Sequence, residues 1–191
     1  MVSVPVSTSL PAASRLAKGF TIIEIVTVIF IILILVTLLV PGFEIVRQRM
    51  DKAACITNLS QLYVAANSYV QDHGSWPQVD PALHHAPNNA YYEAWIAAYV
   101  PYGVGRASWI CPTTQRDLGG PDYTQTQNYR ADYAAMPYDN KRITPFRWPT
   151  SPWFIEKGNV HGTGNLMIMA NGSVTDFAQL FPSISGSSPS K

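Results

Sequence analysis

The sequence is poor in charge and poor in cysteine, and each scarcity closes off a class of protein. Only 13% of its 191 residues are charged and the formal net charge is +1, so no basic field draws the chain toward nucleic acid, and none is expected as a partner. Two cysteines, Cys55 and Cys111, are too few for a disulfide-built scaffold, although one bridge between them is open if the compartment is oxidising. Internal repeats are absent. His84 and His85 are adjacent, and no ligand spacing joins them to His73 or His161, so that pair reads as a solvated loop. Cys111 and His161 are a conceivable nucleophile and base, but nothing local marks them, and no catalysis is expected.

What the chain does have is one long apolar run. Phe20–Val40 holds 21 residues in which Glu24 is the only charge and three threonines are the only other polar side chains. About 20 apolar residues in a helix span a bilayer's hydrocarbon core. A secretory signal has a shorter apolar stretch and a small-x-small cleavage site behind it. Here Pro41, Gly42, Phe43 and Glu44 follow instead. A lipoprotein signal fails too, because Cys55 stands behind Asp51-Lys52-Ala53-Ala54, far from the run. The segment is therefore expected to be retained as an anchor.

Pro41 and Gly42 predict a break or soft joint, since proline removes a donor and glycine adds backbone freedom. Helical signals resume at Glu44. Cys55, Leu59, Leu62, Ala66 and Tyr69 recur at three- and four-residue steps and define one apolar stripe. Gly74 suits the position just past a helix end, and Pro77 forbids continuation. One helix, jointed at Pro41-Gly42, is thus expected from about Phe20 to His73, on the order of 80 Å long.

Beyond Trp76 the chain is rich in Tyr, Trp, Asn, Gly and Pro. "YYEAWIAAYV", Tyr91 to Val100, predicts a short helix ended by Pro101, and "SWICP", Ser108 to Pro112, a short strand or turn. Residues 117–139 read mostly as loop. In "NLMIMANGSVTDF", Asn165 to Phe177, two runs flank Asn171-Gly172, a dipeptide that suits a two-residue type I′ hairpin turn. The aromatic excess, including Trp95, Trp109, Trp148 and Trp153, reads as core and turn packing, with an exposed subset able to bind a sugar or a partner. Asp117, Asp122, Asp132 and Asp139 offer oxygen ligands of the kind calcium takes, but their spacing matches no defined loop.

Glu24 admits two readings. It can lie near enough to the interface to snorkel or stay protonated. Alternatively it meets a cation inside the bilayer. Cleavage after Gly19 would make Phe20 an N-terminus whose amine could pair with Glu24, in its own chain or a neighbour's, and fix axial register in low dielectric.

The stretch "KGFTIIEIVTVIFIILILVTLLVP" resembles the class III leader of type IV pilins and type II secretion pseudopilins. In that family a basic leader ends in Gly, the cut precedes an aromatic residue whose new amine is methylated, and Glu is the fifth mature residue. These map to Lys18, Gly19, Phe20 and Glu24, and Pro41 falls at the twenty-second mature position, where the family commonly has proline. The resemblance implies cleavage by a prepilin peptidase and assembly of Phe20–Val40 helices into a filament core, with Glu24 neutralising a neighbour's Phe20 amine. It also carries the leader-inside orientation, because Arg15 and Lys18 before the span are matched by Arg47, Arg49 and Lys52 after it.

A second stretch, "CITNLSQLYVAANSYVQDHGSWP", resembles the Cys-x-x-Asn-Leu-x-Gln helix of bacterial prepilin-type proteins. Those also carry Cys-Pro in the head and a His-x9-Asp-Gly signature. Cys55, Asn58, Leu59, Gln61, Cys111 and Pro112 match. His161 is followed after nine residues by Asn171-Gly172, with Asn in place of the family's Asp. That signature reads as structure, a hairpin whose preceding loop is anchored by His161. Major pseudopilins carry a calcium loop in this region, which leaves calcium, on Asp117 and Asp122, as the one cofactor considered.

The expectation is an α+β prepilin-type subunit. Residues 1–19 form a leader, 20–42 a transmembrane and filament-core helix, 43–74 the amphipathic half of that helix, 75–182 a loop-rich head on a small antiparallel sheet, and 183–191 a disordered tail. The implied partners are other copies or related pseudopilins, the prepilin peptidase and an inner-membrane assembly platform. The head would be periplasmic or extracellular. A secretion pseudopilus is favoured over a surface pilus for adhesion or DNA uptake, because the head is compact and lacks disulfide loops. The rival from another class is a membrane-anchored periplasmic domain that binds a sugar or metal.

Overall fold

A computed structural model describes residues 19–119, 130–162 and 164–180, with Pro41 described by its backbone alone. The chain is α+β: a long N-terminal apolar helix and a small four-stranded antiparallel sheet. It divides into two compact units between Phe43 and Glu44.

Helix α1 runs from Ile22 to His73. Its start follows from a threonine followed three residues later by a glutamate. The Glu24 N–H donates to Thr21 Oγ1 at 3.3 Å, and Glu24 Oε2 accepts from Thr21 N–H at 3.4 Å. This reciprocal pair is a capping box, which satisfies two of the donors a helix start leaves open. Helical backbone continues through Pro41 and Gly42, so the expected break does not end the helix there. Continuation costs one hydrogen bond at Pro41, which has no N–H to donate. The end at His73 is as the sequence predicts: Gly74 takes a positive φ of 70°, and its N–H donates to Val70 O at 2.9 Å.

In the first unit, the apolar side chains from Ile22 to Val40 stand 45–84% exposed. None of the described residues covers them. The helix is long and apolar enough to cross a membrane.

In the second unit the same helix has a buried face. Cys55, Leu59, Leu62, Ala65, Ala66 and Val70 are fully buried, at the three- and four-residue spacing of one helix stripe. They join a single core with the sheet and with helix α2, Ala90–Tyr99. Strands β1 (Tyr133–Ala135), β2 (Pro152–Glu156), β3 (Leu166–Met169) and β4 (Val174–Asp176) pair in sequence order as an antiparallel meander.

Register explains how β2 faces the helix. Pro152 pairs with Met169 and Phe154 with Ile168, so Trp153 is an extra residue at a bulge. The bulge lets Trp153 and Phe154 both turn inward, and both are fully buried. Trp76 joins the rings together, with centroids 5.1 Å from Trp153, 5.2 Å from Tyr138 and 6.0 Å from Phe154. Trp95 and Trp109 are also buried, whereas Trp148 is exposed with the Arg147 guanidinium 5.0 Å from its ring.

The segment 91–100 is helical as expected, with a 3-10 turn, Val100–Tyr102, containing Pro101. The 108–112 segment is a turn rather than a strand. A 3-10 turn, Arg106–Trp109, leads into α3 (Pro112–Leu118) with Pro112 as its first residue.

The β3–β4 hairpin departs from the predicted two-residue turn. Gly172 N–H donates to Met169 O at 2.8 Å, Met169 N–H donates to Ser173 O at 2.9 Å, and Gly172 alone in this turn has a positive φ, 80°. This is a three-residue loop, Ala170-Asn171-Gly172, closed by a glycine bulge. A type I′ turn would need positive φ at Asn171 as well. The chain reserves that conformation for Gly172, whose α-carbon faces the Tyr63 ring at a distance where an added Cβ would lie 3.3 Å away.

Candidate functional site

The described residues hold two candidate sites, one in each unit. At the start of α1, Glu24 sits in the capping box, with Phe20 and Gly19 exposed just before it. The capping role is legible in the sequence as Thr-x-x-Glu ahead of an apolar run. It adds a purely local reason for an acid at this position.

The second site lies in the core of the head. Fold topology gathers four chemically active side chains from four separate places. Cys55 belongs to the buried stripe of α1. Cys111 immediately precedes α3, and its N–H donates to Asp132 Oδ2 at 2.7 Å. Glu156 closes β2, two residues beyond Phe154 and therefore on the same sheet face, where it pairs in register with Tyr133. His161 stands in the loop between β2 and β3.

Their ligating atoms all lie within 4.8 Å of one another. The two sulfurs are 2.6 Å apart, Cys111 Sγ is 3.9 Å from His161 Nε2, and His161 Nε2 is 3.3 Å from Glu156 Oε1. Both cysteines are free in the structure, with their sulfurs in direct contact. Cys55, Cys111 and Glu156 are fully buried, and the His161 side chain is 4% exposed. Neither Glu156 oxygen has a hydrogen-bond partner in ideal geometry among the described residues; the Leu166 backbone and the two thiols are its near polar neighbours.

Such a cluster is electrostatically costly, and its proton affinities respond. The Cys111 thiol is lowered to about 4, chiefly by the thiol of Cys55 donating to it and further by the Thr114 N–H. Cys55 is raised above the ordinary thiol range by the same shared proton and by burial. Burial, and next the Cys111 thiol, push Glu156 up to about 8. Burial likewise raises the phenol of Tyr133, which neighbours Cys55.

Sequence reasoning paired Cys55 with Cys111 as an open bridge and Cys111 with His161 as a conceivable nucleophile and base, but did not join all three. Glu156 it missed. The signal was present: in "PWFIE" the two-residue strand period carries the inward face from Phe154 to a carboxylate, five residues before His161. Three of the four aspartates considered for calcium have partners of their own. Asp117 pairs with Arg116 at 3.3 Å, Asp132 with Arg130 at 2.6 Å, and Asp139 accepts from its own turn at Lys141 N–H, 3.0 Å. Asp122 lies outside the described residues. His84 and His85 are exposed at the end of a short 3-10 turn, with His84 stacked on Tyr91.

The signature residues His161, Asn171 and Gly172 are not brought to one site. His161 enters the buried cluster, while Asn171 and Gly172 form the hairpin tip. There Asn171 Oδ1 accepts from Ser173 N–H at 2.9 Å and Ser173 Oγ at 2.7 Å. A carboxylate accepts both bonds equally well. Asn171→Asp is expected to change stability by less than about 0.5 kcal/mol, and Asn171→Ala to cost about 1 kcal/mol, read from denaturant melts.

The fold and sites thus define an α+β head seated on a long helix whose first part is bare and apolar. No family model, no curated protein and no solved structure matches this chain.

Proposed function

We propose that the chain is a structural subunit of a filament built at the inner membrane, of the type II secretion pseudopilus or type IV pilus kind. It is cut between Gly19 and Phe20 by a prepilin peptidase and N-methylated on Phe20. The observation that carries this reading is the bare apolar helix. Side chains from Ile22 to Val40 have no covering residue within the described chain. Such a surface needs a bilayer before assembly and other copies of the same helix after it.

Gly19 supports the cleavage site. An added Cβ there meets nothing within 4 Å, and its φ is not left-handed. Nothing among the described residues needs glycine at that position, whereas a peptidase that requires a small residue before the cut does. Within this reading a short pseudopilus is favoured over a surface pilus, because the head is small and built without disulfide loops.

The deciding measurement is mass spectrometry of the N-terminal peptide from protein in its native membrane. A peptide beginning at Phe20 with a methylated amine is expected. An intact Met1 leader would overturn the reading and leave a singly anchored head domain.

A further inference from the structure

We propose that Cys55, Cys111, Glu156 and His161 bind one zinc ion, which clips the membrane-proximal stalk helix to the head. The inference is independent of filament assembly, because all four residues lie in the second unit.

Donor chemistry selects the metal. Two thiolates, an imidazole and a carboxylate form a mixed sulfur, nitrogen and oxygen set, which suits tetrahedral Zn2+ and is wrong for the all-oxygen shells of calcium or magnesium. Tetrahedral zinc with ordinary bond lengths places an imidazole nitrogen about 3.4 Å from a carboxylate oxygen and about 3.6 Å from a thiolate sulfur. The corresponding separations are 3.3 Å for His161 Nε2 to Glu156 Oε1 and 3.9 Å for His161 Nε2 to Cys111 Sγ. The sulfurs, at 2.6 Å, have to separate to about 3.8 Å. Rotation of about 20° at each χ1, which stays within a rotamer well, moves each sulfur by about 0.6 Å.

Burial argues that something binds Glu156. A buried carboxylate is costly unless it is protonated, paired or bound to a metal, and the His161 imidazole is the ion-pair partner Glu156 has among the described residues. A Cys55–Cys111 disulfide would remove the thiols and leave Glu156 with the His161 imidazole, 3.3 Å away, as its partner. A zinc ion engages all four groups at once. Because four side chains fill a tetrahedral shell, no coordination position is left for a substrate. Closed four-ligand sites of this kind are structural.

The site also gives the separate sequence features one purpose. The cysteine in the helix stripe, the Cys-Pro before α3 and the histidine between β2 and β3 become ligands to a common ion, delivered by segments 56 and 50 residues apart.

The test uses the full chain, purified in detergent under reducing conditions and loaded with zinc. Elemental analysis is expected to find about one zinc per chain in the wild type. Glu156→Gln, His161→Gln and the double change Cys55→Ser, Cys111→Ser should each lower retention by about tenfold or more. Cobalt replacing zinc in the wild-type chain supplies a readout that does not depend on any variant folding. Intense tetrahedral bands with thiolate charge transfer are expected. A weak octahedral spectrum, full zinc retention in the variants, or an intact mass from native membrane that is short by a pair of hydrogens with no metal bound would each overturn the proposal.

Discussion

Glu24→Gln should abolish filament assembly while leaving the helix start intact. The capping box of Thr21 and Glu24 needs an acceptor oxygen at position 24, and glutamine supplies one as well as glutamate does. Charge is the one property the substitution removes. On the proposed reading, a subunit entering the filament carries a positive amine on Phe20 into an apolar bundle, and Glu24 of a neighbour neutralises it. Without the carboxylate that amine is unpaired in low dielectric, which is among the more damaging changes a buried interface can suffer. Filament yield, counted by electron microscopy or sheared-fraction blotting, is expected to fall by at least about tenfold, with membrane insertion unchanged. Glu24→Ala removes cap and charge together and should be no milder. Normal filaments in Glu24→Gln but not in Glu24→Ala would assign the residue to helix capping alone and sink the pairing argument.

Gly164→Ala should be the most destabilising alanine substitution at any described glycine of the head. The residue adopts a φ of 91°, and an added Cβ would lie 2.6 Å from Phe177 Cβ and 3.4 Å from the Phe177 backbone nitrogen. Phe177 cannot retreat easily, because its N–H donates to Asn165 O and it opens the last described helix, α4 (Phe177–Leu180). Left-handed backbone and overpacking together should cost about 3 kcal/mol. Gly162→Ala is the control. It has a positive φ of 76° but nothing within 4 Å of its added Cβ, so the backbone term alone remains, about 1 kcal/mol. Thermal unfolding of the detergent-solubilised chain measures both. Equal midpoints would show that Phe177 yields and that the steric argument is wrong.

Local signals in the sequence were enough for the helix of the head and its limits. The stripe from Cys55 to Tyr69 and the stop at Gly74 depend on residue spacing and on glycine's access to positive φ, and both properties travel with the sequence. The apolar run was legible for the same reason. The hairpin was legible as a hairpin but not in its turn type. Asn-Gly permits two adjacent positive φ values, yet the approach of Gly172 to Tyr63, across 109 positions of chain, decides which geometry is used. Pro41 and Gly42 weaken a helix without forbidding one, and the continuous α1 shows which side of that balance this chain takes.

The buried cluster was not legible as a cluster, because its members become neighbours only through tertiary structure. Cys55 looked like one more apolar residue in a helix stripe. His161 looked like a loop anchor. Glu156 went unnoticed because a single acid in a short aromatic strand carries no motif. It becomes conspicuous only when the pairing of Tyr133 with Glu156 and of Phe154 with Ile168 turns it inward.

The way α1 is fastened to the head has a mechanical meaning. Its grip consists of side-chain bonds spread along six turns of helix: Lys52 to Asp176 at 3.4 Å, Asn58 Nδ2 to Ile110 O at 2.9 Å, Ser108 Oγ to Gln61 Oε1 at 3.0 Å, Tyr63 Oη to Ala170 O at 3.1 Å and Tyr102 Oη to Asp72 Oδ2 at 2.9 Å. A pull along the helix axis would load all of these in shear and in parallel, so tension would be shared across the seam. Rupture would then require several bonds to fail together rather than one after another, as they do when a hairpin is unzipped from its end.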